Sequence, residues 1–245
     1  MPEVSSHASL DASSRRFKAR KIIRLLERHA SGPIVGRLLE IGAGSGYLSH
    51  HFSDEYEGAL VVYAVDVLDQ REIFSGYNFQ IYDGKVLPFK KGTFNVVVSN
   101  HVIEHVGSRD EQKLHLQEIL RMLGKHGVAY VACPSRWQWR EPHFGLWGLS
   151  WLPISWRDGY VRFMRRGARY DCNPLGHREF ELLARDAGAE AVNLNLEAFV
   201  LLTGLEGGGG WTSRVFHWIP SAILRKMYRL SPTMVYLLRK SEVRS

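Results

Sequence analysis

Cysteine is scarce in this chain: Cys133 and Cys172 are the only two in 245 residues. Their number and spacing give neither a zinc pattern nor a disulfide framework, so a reducing cytosol is the expected compartment and no metal is expected. Residues 1–14 are polar and Ser-rich without an apolar core, which predicts a loose, disordered tail rather than a signal peptide or membrane span. Internal repeats are absent. Acids are also missing from one long stretch, with none between Trp211 and Lys240. Over the whole chain 25 Asp and Glu face 32 Lys and Arg, a formal charge of +7. That excess points to an anionic partner (nucleic acid, an anionic substrate or a membrane surface), and charge alone does not choose among them.

At 245 residues the chain is long enough for a substantial core, and a single domain is expected over residues 15–245. Its organising stretch is Leu38-Leu39-Glu40-Ile41-Gly42-Ala43-Gly44-Ser45-Gly46-Tyr47-Leu48. This reads as an apolar strand, a glycine turn and the start of a helix. Alternate glycines let the backbone turn tightly and approach a ligand, and the first N–H groups of the helix face that ligand. A dinucleotide fingerprint would carry a small residue at its sixth position, where Tyr47 stands. The pattern here is E-x-G-x-G-x-G. A second apolar run over 59–65 ends in Asp66, about twenty residues on, where a carboxylate can bind ribose hydroxyls.

With these residues in place the chain resembles the class I S-adenosylmethionine-dependent methyltransferases. Glu40 through Gly46 is similar to their first motif and Val62-Tyr63-Ala64-Val65-Asp66-Val67 to their second. Tyr82-Asp83-Gly84-Lys85 resembles the segment beside the adenine, and Phe94-Asn95-Val96-Val97-Val98-Ser99-Asn100 the fourth strand. Asn95 departs from the Asp that many relatives carry. The resemblance is strong over 36–133 and implies a doubly wound, Rossmann-like α/β fold with a seven-stranded sheet whose last strand is antiparallel. It implies S-adenosylmethionine as cofactor. Glu40, Gly42, Ala43, Gly44 and Gly46 would hold its methionine portion, Asp66 with Val67 the ribose, and Asp83 with Gly84 the adenine; Asn100 and His101 would border the methionine end.

Elsewhere, residues 15–30 read as a basic, apolar-faced helix stopped by Ser31-Gly32-Pro33. Such a helix either covers the cofactor or simply packs on the sheet. A third strand is expected over 79–82, a helix over 111–123, a fifth strand over 127–133, a helix over 177–187, a sixth strand over 191–200 and a seventh over 235–238. Residues 135–176 hold five tryptophans and then Arg157, Arg162, Arg165, Arg166 and Arg169, with no long helical pattern. Leaving the carboxyl end of the fifth strand, this insertion is expected to be a substrate lid; the plainer alternative is an aromatic cluster that stabilises a loop. Residues 207–231 read as a basic amphipathic segment, suited to an anionic membrane surface or to docking on the sheet.

Methyl transfer to oxygen needs positioning and a proton acceptor, and imidazole suits the second task. His105, just past the fourth strand, is the first candidate base and His143, in Glu141-Pro142-His143-Phe144, the second; either can instead be a packing histidine. His101-Val102-Ile103-Glu104-His105 also spells the inverted zinc-protease motif, but it stands inside the ordered methyltransferase set. No D/N/S-P-P-Y/F/W or Pro-Cys motif supports nucleic-acid methylation, although the charge suits RNA. Pro134-Ser135, Glu141 to Gly145 and Leu152-Pro153 resemble bacterial relatives associated with surface glycans. The expectation is therefore a cytoplasmic enzyme of the small-molecule, type 11-like branch. It would act on a small-molecule, glycan or lipid-linked acceptor, at the inner membrane face where that acceptor is anchored.

Overall fold

The computed structural model describes residues 12–30, 32–141, 143–205 and 231–241. Among them, seven strands form one sheet in the order β3-β2-β1-β4-β5-β7-β6. The strands are β1 (Gly36–Ile41), β2 (Leu60–Asp66), β3 (Asn78–Ile81), β4 (Phe94–Asn100), β5 (Leu123–Pro134), β6 (Ala189–Asn193) and β7 (Thr233–Lys240). The first five pair in parallel and β7 runs antiparallel between β5 and β6. This is the Rossmann-like arrangement expected from the sequence.

Both faces of the sheet are covered, and the strand period of two sorts the residues between them. Leu38, Val96, Val98, Tyr130, Val235 and Leu237 join one core with α1 (Ala12–His29) and α2 (Tyr47–Glu55). Leu39, Ile41, Val97, Val131, Tyr236 and Leu238 join the other with α3 (Arg109–Met122) and α5 (His177–Asp186). The start of α3 is fixed by a capping box: Ser108 N–H donates to Glu111 Oε2 at 2.7 Å and the Glu111 N–H to Ser108 Oγ at 3.3 Å. Asn95, the departure from the family pattern, lies at the amino end of β4, where its Oδ1 accepts the Arg37 N–H at 3.0 Å. It stands at the end of the sheet opposite the glycine turn.

Three expectations are corrected. The first helix begins at Ala12, inside the stretch read as a loose tail. The sixth strand ends at Asn193, and the chain turns into α6 (Asn195–Leu205). Two asparagines cause the turn, since Asn193 Oδ1 accepts the Asn195 N–H at 3.0 Å and Asn195 Oδ1 accepts the Val235 N–H at 2.6 Å. Leu194, Ala198 and Leu201 then bury one helical stripe, a spacing that alternation had mimicked.

Third, the 135–176 insertion contains a helix, α4 (Ile154–Phe163), and its own small core of Phe144, Leu146, Leu149 and Val161. The helix shows no ordinary pattern because its buried residues are Arg157 and Val161 while Ile154, Trp156 and Phe163 face outward. Residues 1–11 of the expected tail and 206–230 of the basic segment lie outside the described residues. No helix among the described residues is long and apolar enough to cross a membrane.

Candidate active site

In the sheet order the chain reverses direction between β1 and β4, and a crevice opens at the carboxyl ends of the strands there. Register aligns the residues around it. Ile41 pairs with Val65 and with Ser99, so Gly42, Asp66 and Asn100 stand level across three strands. Asp66 pairs with Ile81, which places Asp83 two residues past the end of β3.

The glycine turn is built by its backbone. Gly42 and Ala43 donate their N–H groups to Val65 O at 2.9 and 3.1 Å. Gly42 and Gly46 both adopt φ +81°, and a Cβ on either would meet Val102 Cγ2 at 2.5 Å or the Tyr77 hydroxyl at 2.1 Å. Gly44 differs: a Cβ there would meet nothing within 4 Å, because this residue faces the open crevice. Its N–H donates to Asp66 Oδ2 at 2.8 Å, and Val67 N–H donates to Asp66 Oδ1 at 2.7 Å. Asp66 thus ties the turn to the end of β2.

Glu40 is buried, with the Ser49 hydroxyl of α2 donating to its Oε2. Burial pushes its carboxyl up to about 8, although the Ser49 bond pulls the other way. Asp83 is exposed; the Val86 and Lys85 N–H groups donate to its Oδ1 at 2.9 and 2.8 Å and hold it below its ordinary value. A Cβ on Gly84 would lie 3.0 Å from Val67 Cγ1, so the two sides of this slot meet at a glycine.

Past β4 the chain makes a strained corner. His101 is one of two non-glycine residues at positive φ among the described residues, at +60°, with its N–H donated to Ala132 O at 2.8 Å. Its Nδ1 lies 3.3 Å from Oε1 of Glu104, and Nε2 of His143 lies 3.9 Å from the same oxygen. Glu104 is fully buried. Burial pushes its carboxyl up, but the two imidazoles outweigh that and hold it down at about 2. In turn, burial lowers His143 while the Glu104 carboxylate, with Glu141 and Asp171 nearby, raises it above its ordinary value overall.

His143 arrives from the insertion because Glu141 folds that turn, accepting the Phe144 N–H on Oε2 at 2.6 Å while its backbone carbonyl accepts the Gly145 N–H. The rings of His105 and His143 meet edge to face with centroids 4.9 Å apart, so both candidate bases share one corner. Cys172 completes it, its Sγ 3.7 Å from His105 Nδ1.

The motif reading of a metal shared by His101 and His105 does not match this geometry, since His101 turns to Glu104 and His105 to Cys172. A different trio, His105, His143 and Cys172, has ligand atoms all within 4.8 Å of one another, near enough to share one soft cation. Burial, with Asp171 and Glu141 close by, pushes the Cys172 thiol far above its ordinary value, which keeps its proton on. Sequence reasoning missed Ser49, Cys172 and the anchoring role of Glu104. Only Glu104 left a signal, as the acid between two histidines in His101 to His105.

The family model described as "Methyltransferase domain" matches residues 11–194. No curated protein matches the chain. Among solved structures, the methyltransferase that Haloferax volcanii pairs with its Trm112 activator superposes with a TM-score of 0.56 at 15% identity, covering 94% of each chain. Phosphoethanolamine N-methyltransferase 2 of Haemonchus contortus, solved with phosphomonomethylethanolamine and S-adenosylhomocysteine, gives 0.55 at 17% identity, covering 91% of this chain and 53% of that one. Geranyl diphosphate methyltransferase, solved with S-adenosylmethionine, gives 0.51 at 17%, covering 92% and 85%. At these identities the structures speak for the fold, and the family model for membership: the chain belongs to the methyltransferase-domain family and is a class I S-adenosylmethionine-dependent methyltransferase.

Proposed function

We propose that this methyltransferase methylates an oxygen of a small-molecule, glycan or lipid-linked acceptor that enters beneath residues 135–176, with His105 as the base. The observation that carries the reading is the meeting of His105, His143 and buried Glu104 past the end of β4, beside the glycine turn. Residues 15–245 act as one methyltransferase domain in which the insertion serves as the lid.

The crevice fits the cofactor. Gly44 leaves room where a side chain would intrude, Asp66 would offer its carboxylate to the ribose, and the Asp83–Gly84 corner against Val67 would take the adenine. Glu40, the turn from Gly42 to Gly46, Asn100 and His101 surround the methionine end. The bound cofactor supplies an electrophilic methyl group on a sulfonium. The protein contributes alignment and a proton path. With Nδ1 of His105 against Cys172, its Nε2 receives the acceptor hydroxyl proton. His143, which Glu104 makes easier to protonate, keeps the His105 ring in place through their edge-to-face contact. The exposed arginines of the lid suit an anionic acceptor.

Calorimetric titration with S-adenosylmethionine and S-adenosylhomocysteine tests the site. Asp66→Ala is expected to weaken both by about a hundredfold, because it removes the ribose partner and frees the Gly44 turn. Wild-type affinity in a folded Asp66→Ala protein refutes the assignment. The acceptor class is tested by labelled methyl transfer into lipid, glycan and RNA fractions. A second reading, RNA methylation, draws on the +7 charge; steep salt dependence of RNA binding supports it and indifference to RNA removes it.

A further inference from the structure

The outer face of the lid is built inside out. On α4 the buried residues include a charged one, Arg157, whose Nε and Nη2 donate to Leu152 O at 2.9 Å and Ser150 O at 3.1 Å. Asp158 also serves the lid itself, accepting the Tyr170 N–H at 2.9 Å. Large apolar side chains are among those left facing solvent: Ile154 is 73% exposed, Trp156 67% and Phe163 82%. Trp156 and Phe163, with Trp147, Trp151 and Tyr160, line an open groove of about 720 Å³ in which no lining side chain is charged.

A lone exposed apolar residue is ordinary, but a contiguous aromatic patch of this kind marks a surface that meets something. Four exposed cations, Arg162, Arg165, Arg166 and Arg169, stand beside Phe163 or follow it within six positions of the chain, and none of them lines the groove. Nucleic acid would need cations on the floor of the groove, where phosphates track, with bases stacked above. Here the groove is lined by aromatic and apolar side chains and the exposed cations lie outside its lining. Tryptophan-rich apolar surface bordered by arginine matches the headgroup region of a bilayer, where indole rings sit at the boundary and guanidinium groups reach lipid phosphates.

We propose that this face of the lid docks on the surface of an anionic bilayer. The Arg140–Trp147 bridge closes the loop that carries His143, and Trp147 lines the docking groove, so docking holds the loop of the acceptor site close to the membrane. The inference deepens the lipid-linked reading of the acceptor and locates the membrane contact in the lid, apart from residues 206–230.

The test is co-sedimentation of the full chain with neutral phosphatidylcholine vesicles and with vesicles containing phosphatidylglycerol. S-adenosylmethionine affinity is measured on every variant. Wild type is expected to pellet with the anionic vesicles and to be released by salt, with its tryptophan fluorescence quenched by brominated lipid. Trp156→Ser/Phe163→Ser should abolish the quenching and most of the pelleting. Neutralising Arg162, Arg165, Arg166 and Arg169 to glutamine should weaken binding by up to about a thousandfold. Equal pelleting of wild type and Trp156→Ser/Phe163→Ser overturns the proposal. So does wild type that ignores vesicles, whether it instead dimerises through this face or binds RNA. Vesicle indifference with intact cofactor affinity refutes the docking alone, whereas loss of cofactor binding by wild type refutes the reading of the catalytic site.

Discussion

Replacing Glu104 with Gln keeps the shape of the buried side chain and removes its charge. The wild-type carboxyl is held at about 2 against an ordinary 4.5 by His101 and His143, despite burial. That difference corresponds to about 3 kcal/mol of stability at neutral pH. A depressed carboxyl contributes above its unfolded value and loses the contribution as pH falls through the folded one. The advantage of wild type over Glu104→Gln should therefore shrink between about pH 4.5 and pH 2. His143 has the opposite sign. Its folded value is raised by Glu104, so its contribution is complete below 6.5 and disappears as pH rises through the folded value. The gap between the two proteins should peak at roughly pH 5.5, at about 3 kcal/mol, and narrow on both sides. Urea unfolding of both proteins across the pH range measures it. In parallel, the NMR titration of His143 should move to lower pH in Glu104→Gln. A gap that is flat with pH, or a His143 titration that stays where it was, would refute the argument that these groups are coupled.

The two ends of the glycine turn should respond differently to alanine. Gly46→Ala drives a Cβ into the Tyr77 hydroxyl and to 2.5 Å from the Ile73 carbonyl, so thermal unfolding should show a loss of about 2 kcal/mol or more. Gly44→Ala meets no protein atom and should cost only about 1 kcal/mol for its positive φ, yet it should lose most cofactor affinity because its methyl group enters the crevice. Glu40, raised to about 8, carries a proton near neutral pH; cofactor binding that places a cation beside it should release up to about one proton. Calorimetry at pH 7 in buffers of different ionisation enthalpy detects that release, and Glu40→Gln should abolish it. Zinc should inhibit by joining His105, His143 and Cys172, and Cys172→Ala should raise the zinc concentration needed for inhibition, each protein being compared with its own turnover in chelator. Loss of activity in chelator would show instead that a metal serves the reaction.

The glycine turn and the position of Asp66 were legible because their demands are local. Gly42 and Gly46 need positive φ and have no room for a Cβ, and Asp66 must end the strand that pairs with β1. Such constraints act between chain neighbours or adjacent strands and leave a fixed spacing. The histidine corner past β4 obeys no such spacing. Glu104 comes from the turn after β4, His143 from the lid and Cys172 from the return of the lid, and only the path of the insertion brings them together. The same limit explains α6. Asn195 turns the chain because Val235, forty positions away, needs an acceptor for its N–H, and no local pattern announces that. In α4 the failure was of another kind, because periodicity finds a helix by its apolar inner face and this helix turns that face outward.

The way the insertion is tied down bears on how the enzyme can work. Asn173 donates its N–H to Glu104 O at 2.6 Å and its Nδ2 to Gly107 O at 3.0 Å, while its own carbonyl accepts from Gln112 Nε2 and Arg109 Nη1. Ser135 bridges Leu175 at the base. Both ends of the insertion are thus pinned to the sheet beside the catalytic corner, and His143 is drawn towards the buried Glu104 charge from within. Swinging the whole insertion open would strip a buried carboxylate of a cationic partner, which costs several kcal/mol. The insertion is therefore held in place at this corner, and in the proposed reading an acceptor passes beneath it to His105 without lifting it. A membrane contact on the outer side of such an insertion fixes the orientation of the site to the bilayer without asking the protein to change shape.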